Sequence, residues 1–543
     1  MSAKITTRFG AAVPPAPRHS VTCHMPTWDD AEKFAADPVA STRDFTSVYP
    51  RLGQHPDILK LSELVLQNLG LDDKGCLLFS SIKAACECVQ YLTSSKESDE
   101  LQQSADGIYI KVFFVKDHFF AVLFPPEEVP IGYQFWRVGG VGMSSRFAEA
   151  NLCGELVNTA MPEGDGSRVL FVGPAHTILR ERIVNYLRRA VLDPSSLKSM
   201  PSPDDVYLYT TGMSAIYRPH QYMLQLYGGT SISFGMPFIT TMDIMEHFGP
   251  GYKLFGRGDE RDMLDLKDFL EEERQNGSKV QAIWTEFPTN PLGVAPDITR
   301  LRELADEYDI VLGIDDTIGS WANVDIIGKA DILMTSLAKT FNGYADAIAG
   351  SAILNPASRK YKELKPLFDK NYFPELYYLD AEAIERNSRD YLSRTTKLNH
   401  NARTLATYLL TRSEEPNSPI VAVYYPSINP SRAILKQFMR PATEEFTPGY
   451  GCIFTIELRD ITTASTFYDN LNVHKGGHVG APSTLAFPFT MGVHYTRLPW
   501  AEQYGFRPTQ VRISAGLEET DMLIEEFRLA LEAVGALKTA KLQ

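Results

Sequence analysis

Between residues 206 and 352, short apolar runs alternate with segments that have the spacing of helices. Three of the runs have the length and composition of buried strands: VQAIWTEF (280–287), IVLGID (310–315) and ADILMTS (330–336). Apolar residues near the helical period separate the first two runs: Ile298, Leu301, Leu304 and Tyr308. This alternation predicts an α/β domain with a mainly parallel sheet, whose ligands bind beyond the carboxyl ends of the strands.

The rest of the chain divides by composition. The runs IYIKVFFV and HFFAVLF flank Lys116 and Asp117 and predict a hairpin. A stretch rich in Ser and Pro at 195–205 is typical of a linker, and strand and helix patterns resume after about residue 390. We therefore predict four regions: an N-terminal arm (1–71), an inserted α+β region (72–200), a large domain (201–390) and a smaller C-terminal α/β domain (391–543).

Composition narrows the classes of partner. The chain has 53 basic and 67 acidic side chains, a formal charge of −14 that opposes binding to nucleic acid or to an anionic membrane surface. No apolar run is long enough to span a bilayer, and the six cysteines show no CxxC pair. We expect small-molecule partners, no metal site and a cytoplasmic location.

Two residues at the ends of strands suggest a cofactor. Lys339 follows one buried run, and a partly desolvated lysine more readily supplies the neutral amine that adds to an aldehyde. Asp315 ends the preceding run, where a carboxylate can keep the pyridine nitrogen of pyridoxal phosphate (PLP) protonated. Taken singly, Lys339 is more typical of a surface lysine in a loop, and Asp315 of a helix cap or turn. Only the joint pattern favours PLP.

The surrounding motifs resemble a known family. TTGMSAI, TEFPTNPLG, IDDTIG, TSLAKTFNG and VRISAGLEETD occur in the order and approximate spacing of the Cys/Met-metabolism family of PLP enzymes. The resemblance covers about residues 206–530, and FGAAVPPAPRHSVTCHMPTWDDA near the N-terminus is similar to the long fungal cystathionine γ-synthases. It implies a PLP-dependent transferase of fold type I, with a seven-stranded sheet in the large domain.

The resemblance also assigns roles to residues. Lys339 would form the Schiff base and shuttle protons, and Asp315 would pair with the pyridinium. Asn290 would contact the ring hydroxyl and the substrate, and Arg512 would grip the substrate α-carboxylate. Phosphate would be bound by residues at two strand ends: Gly212, Met213 and Ser336.

The stretch YPR at 49–51 resembles an arm that, in the family, reaches into a neighbouring subunit. Tyr49 and Arg51 would then contact cofactor in the other protomer, which implies a homodimer or homotetramer with shared active sites.

The aromatic residue at the cofactor departs from the family pattern. Phe238, in GMPFITTMD, stands where a tyrosine stacks on the cofactor, whereas the YGGT at 227–230 is too close to Gly212. Phenylalanine keeps the aromatic face but lacks the hydroxyl, so Lys339 or Tyr49 would have to compensate in catalysis.

Other positions also differ from the family. Ala338 and Asp316 replace a threonine and an asparagine. LLFSSIKAACECV (77–89) follows the arm at about the interval expected for the phosphate loop but lacks the Gly-Met pair. The segment HVGAPSTL, which starts at His478, replaces the family's usual start. Taken alone, His478 and His494 are more typical of structural histidines than of ligand-binding ones.

Three functions stay open on the sequence. The first is γ-substitution on an activated homoserine, O-acetylhomoserine above all, with cysteine as nucleophile and cystathionine as product. The second keeps the electrophile and changes the nucleophile to a carbanion, an amine or another thiol. The third is a PLP-fold scaffold without catalysis, which the joint presence of Lys339, Asp315 and Arg512 disfavours.

Overall fold

The computed structural model describes residues 3–43, 45–50, 52–94, 107–160 and 171–541, without the side chains of 39 and 536–541. Its strands form a four-stranded, a seven-stranded and a five-stranded sheet within those residues. The elements up to residue 190 are α1 (Trp28–Ala36), α2 (Pro38–Thr42), α3 (Pro56–Leu69), β1 (Gly75–Phe79), α4 (Ile82–Ser94), β2 (Tyr109–Phe114), β3 (His118–Phe124), α5 (Val129–Gly139), α6 (Ser145–Ala150), β4 (Val157–Thr159) and α7 (Pro174–Arg188).

The four-stranded sheet is antiparallel, with the order β1-β3-β2-β4. Its centre is the hairpin predicted around Lys116 and Asp117, in which Phe114 pairs with His118. The polar stretch TSSKESDELQQSADG (93–107), whose composition predicts a solvated loop, lies largely outside the described residues.

The middle of the chain builds the large sheet and its helices. These elements are β5 (Val206–Tyr209), α8 (Ser214–Leu226), β6 (Thr230–Phe234), α9 (Ile239–His247), β7 (Tyr252–Phe255), α10 (Glu260–Asn276), β8 (Val280–Glu286), α11 (Ile298–Glu307), β9 (Val311–Asp315), α12 (Ser320–Asn323), β10 (Ile332–Ser336), β11 (Gly350–Leu354), α13 (Tyr361–Asn371) and α14 (Tyr378–Asn387). The strand order is β5-β11-β10-β9-β8-β6-β7, and β11 alone among these seven strands runs against the others, so the predicted mainly parallel seven-stranded sheet is confirmed.

Both faces of this sheet are covered, which explains why its strands are largely apolar on both sides. Along β8, Ile283 packs into one core and Ala282 and Trp284 into the other. Leu179 of α7 belongs to the first core, although α7 lies in the region predicted as an insertion. Trp136 of α5 belongs to the second. The described part of the inserted region therefore packs directly on the large sheet, and its exact boundaries stay a prediction.

The last elements form the small sheet, in the order β12-β13-β16-β15-β14. They are α15 (Tyr391–Ser413), β12 (Ile420–Tyr424), α16 (Arg432–Gln437), β13 (Ile453–Leu458), α17 (Ile461–Asn470), β14 (His474–Lys475), β15 (Leu485–Phe487), α18 (Phe489–His494), α19 (Leu498–Glu502), β16 (Gln510–Ser514) and α20 (Thr520–Lys541). Helices α15, α17 and α20 share one apolar core with the sheet. No helix within the described ranges combines the length and apolar composition needed to cross a membrane.

The N-terminal arm packs on the small sheet of its own chain. The backbone N–H of Trp28 donates to Asp469 at 2.7 Å, and the Tyr468 hydroxyl donates to the Met25 carbonyl at 2.8 Å. Further along, α3 packs on β1 and α6. Between these two anchored parts of the arm, Tyr49 and Pro50 line a pocket at the carboxyl edge of the large sheet.

Candidate active site

A pocket lies at the carboxyl ends of the large-sheet strands, between that sheet and the small one. Every described residue of the predicted site lines it: Tyr49, Gly212, Met213, Phe238, Asn290, Asp315, Ser336, Lys339 and Arg512. Arg51 lies outside the described residues. Strand register explains the convergence, because Asp315 pairs with Glu286 on one side and with Met334 on the other.

Lys339 and Tyr49 are in direct contact. The Lys339 Nζ donates a hydrogen bond to the Tyr49 hydroxyl at 2.7 Å and lies 4.5 Å from the centre of the tyrosine ring. Both side chains are partly exposed to the pocket. An amine and a phenol at this distance can exchange a proton.

This contact lies within one chain, whereas the resemblance implies an arm that serves a neighbouring subunit, and the shared active site stays a prediction. Tyr49 occupies the pocket of its own chain. The reason is the anchoring of the arm, because residues up to Trp28 are bound to the small sheet and α3 is packed on the four-stranded sheet. One chain therefore supplies the tyrosine to its own lysine.

Two carboxyl groups with different surroundings stand side by side at the strand ends. Burial and the neighbouring Asp315 raise the pKa of Glu286 to about 8, although the backbone N–H groups of Phe238 and Asn290 donate to it. Burial also raises the pKa of Asp315, while bonds from Thr317 oppose that shift. At neutral pH, Glu286 is thus mostly protonated, and Asp315 is the better placed of the two to carry a negative charge toward a pyridine nitrogen.

The end of β5 and the start of α8 form a cradle for an anion. A Cβ added at Gly212 would lie 2.8 Å from the Cβ of Ser336, so only glycine allows this approach of the two strand ends. The Ser336 N–H donates to the Thr317 hydroxyl at 2.8 Å, which fixes that end of β10. A helix N-terminus with small residues around it is suited to a phosphate. The residues predicted to bind phosphate are thus together.

Arg512 extends from the middle of β16 into the pocket and is 3% exposed. Its guanidinium donates to the Asn290 side-chain oxygen at 3.3 Å and to the Gly477 carbonyl at 2.7 Å. Burial lowers the pKa of Arg512 to about 10, so the group is charged at neutral pH. Its Nε has no hydrogen-bond partner among the described residues. A buried cation with an unused donor is well suited to a carboxylate ligand.

Asp316, which replaces the family's asparagine, keeps a similar hydrogen-bonding capacity. Asp316 is buried, and burial raises its pKa to about 8, so its carboxyl is mostly neutral at pH 7. The Thr335 hydroxyl donates to it at 2.5 Å. A protonated carboxyl, like the asparagine side chain, offers both a hydrogen-bond donor and an acceptor. Phe238 lines the pocket with a partly buried ring, and its stacking on a cofactor stays a prediction.

Two segments resemble motifs of the family but were not assigned to the site, and both lie away from this pocket. Tyr227 of YGGT ends α8 and donates its hydroxyl to Glu363. LLFSSIKAACECV forms β1 and the start of α4 in the four-stranded sheet. Both therefore belong to the scaffold, as the spacing of YGGT and the missing Gly-Met pair of LLFSSIKAACECV indicated.

Several pocket residues had no role predicted from the sequence, among them Glu286, Thr317 and His478. A signal existed for Glu286, which opens the E-x-P-x-N-P pattern that contains Asn290.

One cluster elsewhere brings together side chains of metal-ligand type, namely His19, His55 and Asp57. Its ring nitrogens are already engaged, because His19 bonds Ser145 and Glu149 and His55 bonds backbone groups at both nitrogens. Hydrogen bonding thus accounts for this cluster, and the expected absence of a metal stays a prediction.

The residues around the pocket fit PLP. The glycine cradle suits its phosphate, Asp315 its pyridine nitrogen, and Lys339 its aldehyde. The fold and the site together define a PLP-dependent enzyme of fold type I.

The family follows from comparison with known proteins. Residues 180–532 match the family model described as Cys/Met metabolism PLP-dependent enzyme, and residues 57–144 match that of the fungal trans-sulfuration enzyme N-terminal domain. The chain belongs to the Cys/Met metabolism family of PLP-dependent enzymes, in its cystathionine γ-synthase-like group. The second match also accounts for much of the inserted region, in which no motif was recognised from the sequence.

Similar proteins include fungal enzymes matched over nearly their whole length. The chain is 33% identical to alanine racemase ungC of Aspergillus violaceofuscus, with 97% of each chain covered. It is 31% identical to cystathionine γ-synthase of Neurospora crassa, over 96% of this chain and 98% of that one. It is 30% identical to cystathionine γ-synthase-like enzyme iboG2 of Amanita muscaria, over 98% and 97%.

Solved structures support the fold. Cystathionine γ-lyase from Lactobacillus plantarum superposes with a TM-score of 0.55 at 20% identity, covering 69% of this chain and 92% of that one. Cystathionine γ-synthase from Xanthomonas oryzae gives a TM-score of 0.54 at 17% identity, covering 70% and 92%.

Proposed function

We propose that this enzyme catalyses γ-substitution on O-acetylhomoserine, with cysteine as nucleophile and cystathionine as product. The observation that carries the proposal is the Lys339–Tyr49 pair, at 2.7 Å, beside the Arg512–Asn290 carboxylate anchor. A γ-substitution needs proton transfers at several atoms of one bound amino acid, and a flexible lysine next to a phenol can provide them. The relatives named cystathionine γ-synthase support this choice of reaction.

PLP, when bound, supplies an electron sink for the carbanion that develops next to the substrate amine. Lys339 takes the proton from the substrate α-carbon, passes it on, and as a free amine again takes one from the β-carbon, so that acetate can leave the γ-carbon. The cysteine sulfur then bonds to that carbon, and Lys339 returns protons to the β-carbon and the α-carbon. Arg512 holds the substrate carboxylate, and Asn290 positions the guanidinium by accepting its hydrogen bond. Tyr49 offers the hydroxyl that Phe238 lacks, so it can receive or return a proton at the lysine nitrogen.

Racemisation of a small amino acid is the second candidate. It needs removal and return of a proton at the α-carbon, and the Lys339–Tyr49 pair contains two groups able to carry that proton. The relative named alanine racemase supports it, at 33% identity over 97% of both chains. The two candidates share their first step and differ in whether a γ-leaving group departs.

Product analysis distinguishes the candidates. Purified enzyme with PLP is incubated with O-acetyl-L-homoserine and cysteine, then with a carbon, amine or other thiol nucleophile in place of cysteine. A parallel reaction contains L-alanine in D₂O, with product chirality measured. Cystathionine formation is the expected result. The proposed reaction would be rejected if the enzyme forms no cystathionine but reacts with another nucleophile. It would also be rejected if D-alanine is the sole product.

Lys339→Ala is the matched control for all these reactions. It should abolish turnover and change the visible absorption band of the bound cofactor. If wild type and Lys339→Ala have the same visible absorption spectrum and are both inactive, the result would support a scaffold without catalysis. A homodimer or homotetramer and a cytoplasmic location stay predictions, and Tyr49 is placed so that a single chain furnishes its own phenol.

A further inference from the structure

His478 is a buried polar group in the pocket without an assigned role. Its side chain is 1% exposed, it lines the pocket, and neither ring nitrogen has a hydrogen-bond partner among the described residues. Its ring lies edge-to-face against Tyr49, with 6.1 Å between ring centres. Buried polar atoms are rarely left unpaired, because each loses its bonds to water on folding. A partner supplied by a ligand would explain the arrangement.

The backbone holds this histidine in place. Two glycines flank it, Gly476 and Gly480, at φ +149° and +76°. A Cβ at Gly476 would lie 2.4 Å from the Cys23 carbonyl oxygen, and one at Gly480 would lie 2.7 Å from the Thr340 nitrogen. The segment is therefore wedged between the arm and the loop that carries the catalytic lysine. His478 cannot move away from the pocket without a rearrangement of both neighbours.

The charge state of the ring follows from its surroundings. Burial, together with the cations of Lys339 and Arg512, holds the pKa of His478 well below its usual range. The ring is thus neutral at physiological pH and offers one N–H donor and one nitrogen lone pair. Such a group suits a neutral oxygen or ester on a ligand better than a second carboxylate.

The position of the ring indicates which part of the substrate it meets. Arg512 donates to the backbone carbonyl of His478 at 3.4 Å, so the ring is next to the carboxylate anchor. On its other side, Tyr49 connects it to Lys339, the base for the α-carbon. The substrate amino group would join the PLP aldehyde, so an amino acid held at its carboxylate and α-carbon has one remaining part, its side chain.

We infer that His478 hydrogen-bonds the oxygen on the γ-carbon of the substrate and thereby selects substrates that carry one. The inference rests on the proposed function for the identity of that oxygen. It differs from the structural role that the sequence pattern favoured for this histidine.

Ligand binding tests the inference separately from turnover. The holoenzyme is titrated with L-homoserine and with L-2-aminobutyrate, which differ by the γ-oxygen alone, and binding is followed by the change in the visible absorption of the cofactor. Wild type should prefer L-homoserine. In His478→Leu the preference should fall roughly 5- to 30-fold, as expected for a lost buried hydrogen-bond partner, while L-2-aminobutyrate binding and cofactor content stay unchanged. His478→Asn, which keeps a donor and an acceptor, should restore part of the preference.

His494 provides the matched control. It is also buried, at 2% exposure, and its Nδ1 has no partner among the described residues, yet it does not line the pocket. His494→Leu should leave the ligand preference intact. The inference would be overturned if His478→Leu binds both ligands equally more weakly, or if its preference for L-homoserine is unchanged. Loss of cofactor affinity in this variant would also overturn it. Because binding is measured, an enzyme that makes no cystathionine can still support or refute it, so the two proposals fail separately.

Discussion

Replacing Tyr49 with phenylalanine tests the central contact of the site. The substitution removes the hydroxyl that accepts the 2.7 Å hydrogen bond from Lys339 and keeps the ring, whose centre lies 4.5 Å from the same nitrogen. A hydrogen bond to a charged group contributes about 1.5–3 kcal/mol. If the hydroxyl assists proton transfer in the transition state, kcat should fall roughly 10- to 150-fold. KM for the amino acid should change little, because its anchor is Arg512.

Steady-state kinetics with O-acetylhomoserine and cysteine provide the measurement, with cofactor content checked by visible absorption. Tyr227→Phe is the control, since it deletes a tyrosine hydroxyl that bonds Glu363 outside the pocket. We expect it to retain the wild-type kcat. The reasoning is refuted if Tyr49→Phe has the same kcat as Tyr227→Phe, because the hydroxyl would then take no part in the slow step.

Three further predictions use kinetics and unfolding. Arg512→Lys keeps the charge but loses the planar fork, so KM for the amino acid should rise about tenfold or more while cofactor binding persists; an unchanged KM would place the carboxylate elsewhere. The raised pKa of Glu286 predicts a stability contribution that is complete below pH 4.5 and lost as pH rises through 8. Urea unfolding of cofactor-free protein measures how far the free energy of unfolding falls between pH 5 and pH 9. This fall should be smaller in Glu286→Gln than in wild type, by about 1 kcal/mol or more. Equal falls in the two proteins would contradict the raised pKa. A mixture of the Lys339→Ala and Tyr49→Phe proteins should show no more activity than the sum of their separate activities. Recovery of activity in the mixture would show that the arm acts between subunits.

Much of the site was predictable because its chemistry depends on residues at the ends of strands. Lys339 and Asp315 each follow an apolar run, and neighbouring parallel strands bring such residues to one edge. The glycine at 212 was predictable from its motif, and the structure adds the reason, which is the approach of Ser336. Phe238 was located by spacing, and the alternative at Tyr227 lies outside the pocket, bonded to Glu363.

Contacts between segments far apart in sequence were not predictable in this way. His478 was predicted to be structural, because no local pattern indicates that a histidine will be buried beside two cations and a tyrosine. The protonation of Glu286 depends on its burial next to Asp315, a property of strand register. The direction of the arm was assigned from the family pattern, and the contact between Tyr49 and Lys339 of one chain depends on long-range packing that no local pattern predicts.

The amino-acid sequence by itself determined the α/β class, the strand-end lysine and aspartate, and hence the cofactor, because each rests on a local pattern of apolar and polar residues. Tertiary structure alone decided that Tyr49 reaches Lys339 within one chain, and that His478 faces the pocket with no hydrogen-bond partner among the described residues. Those features depend on which surfaces bury each other, and burial sets both the reach of a side chain and the charge it carries.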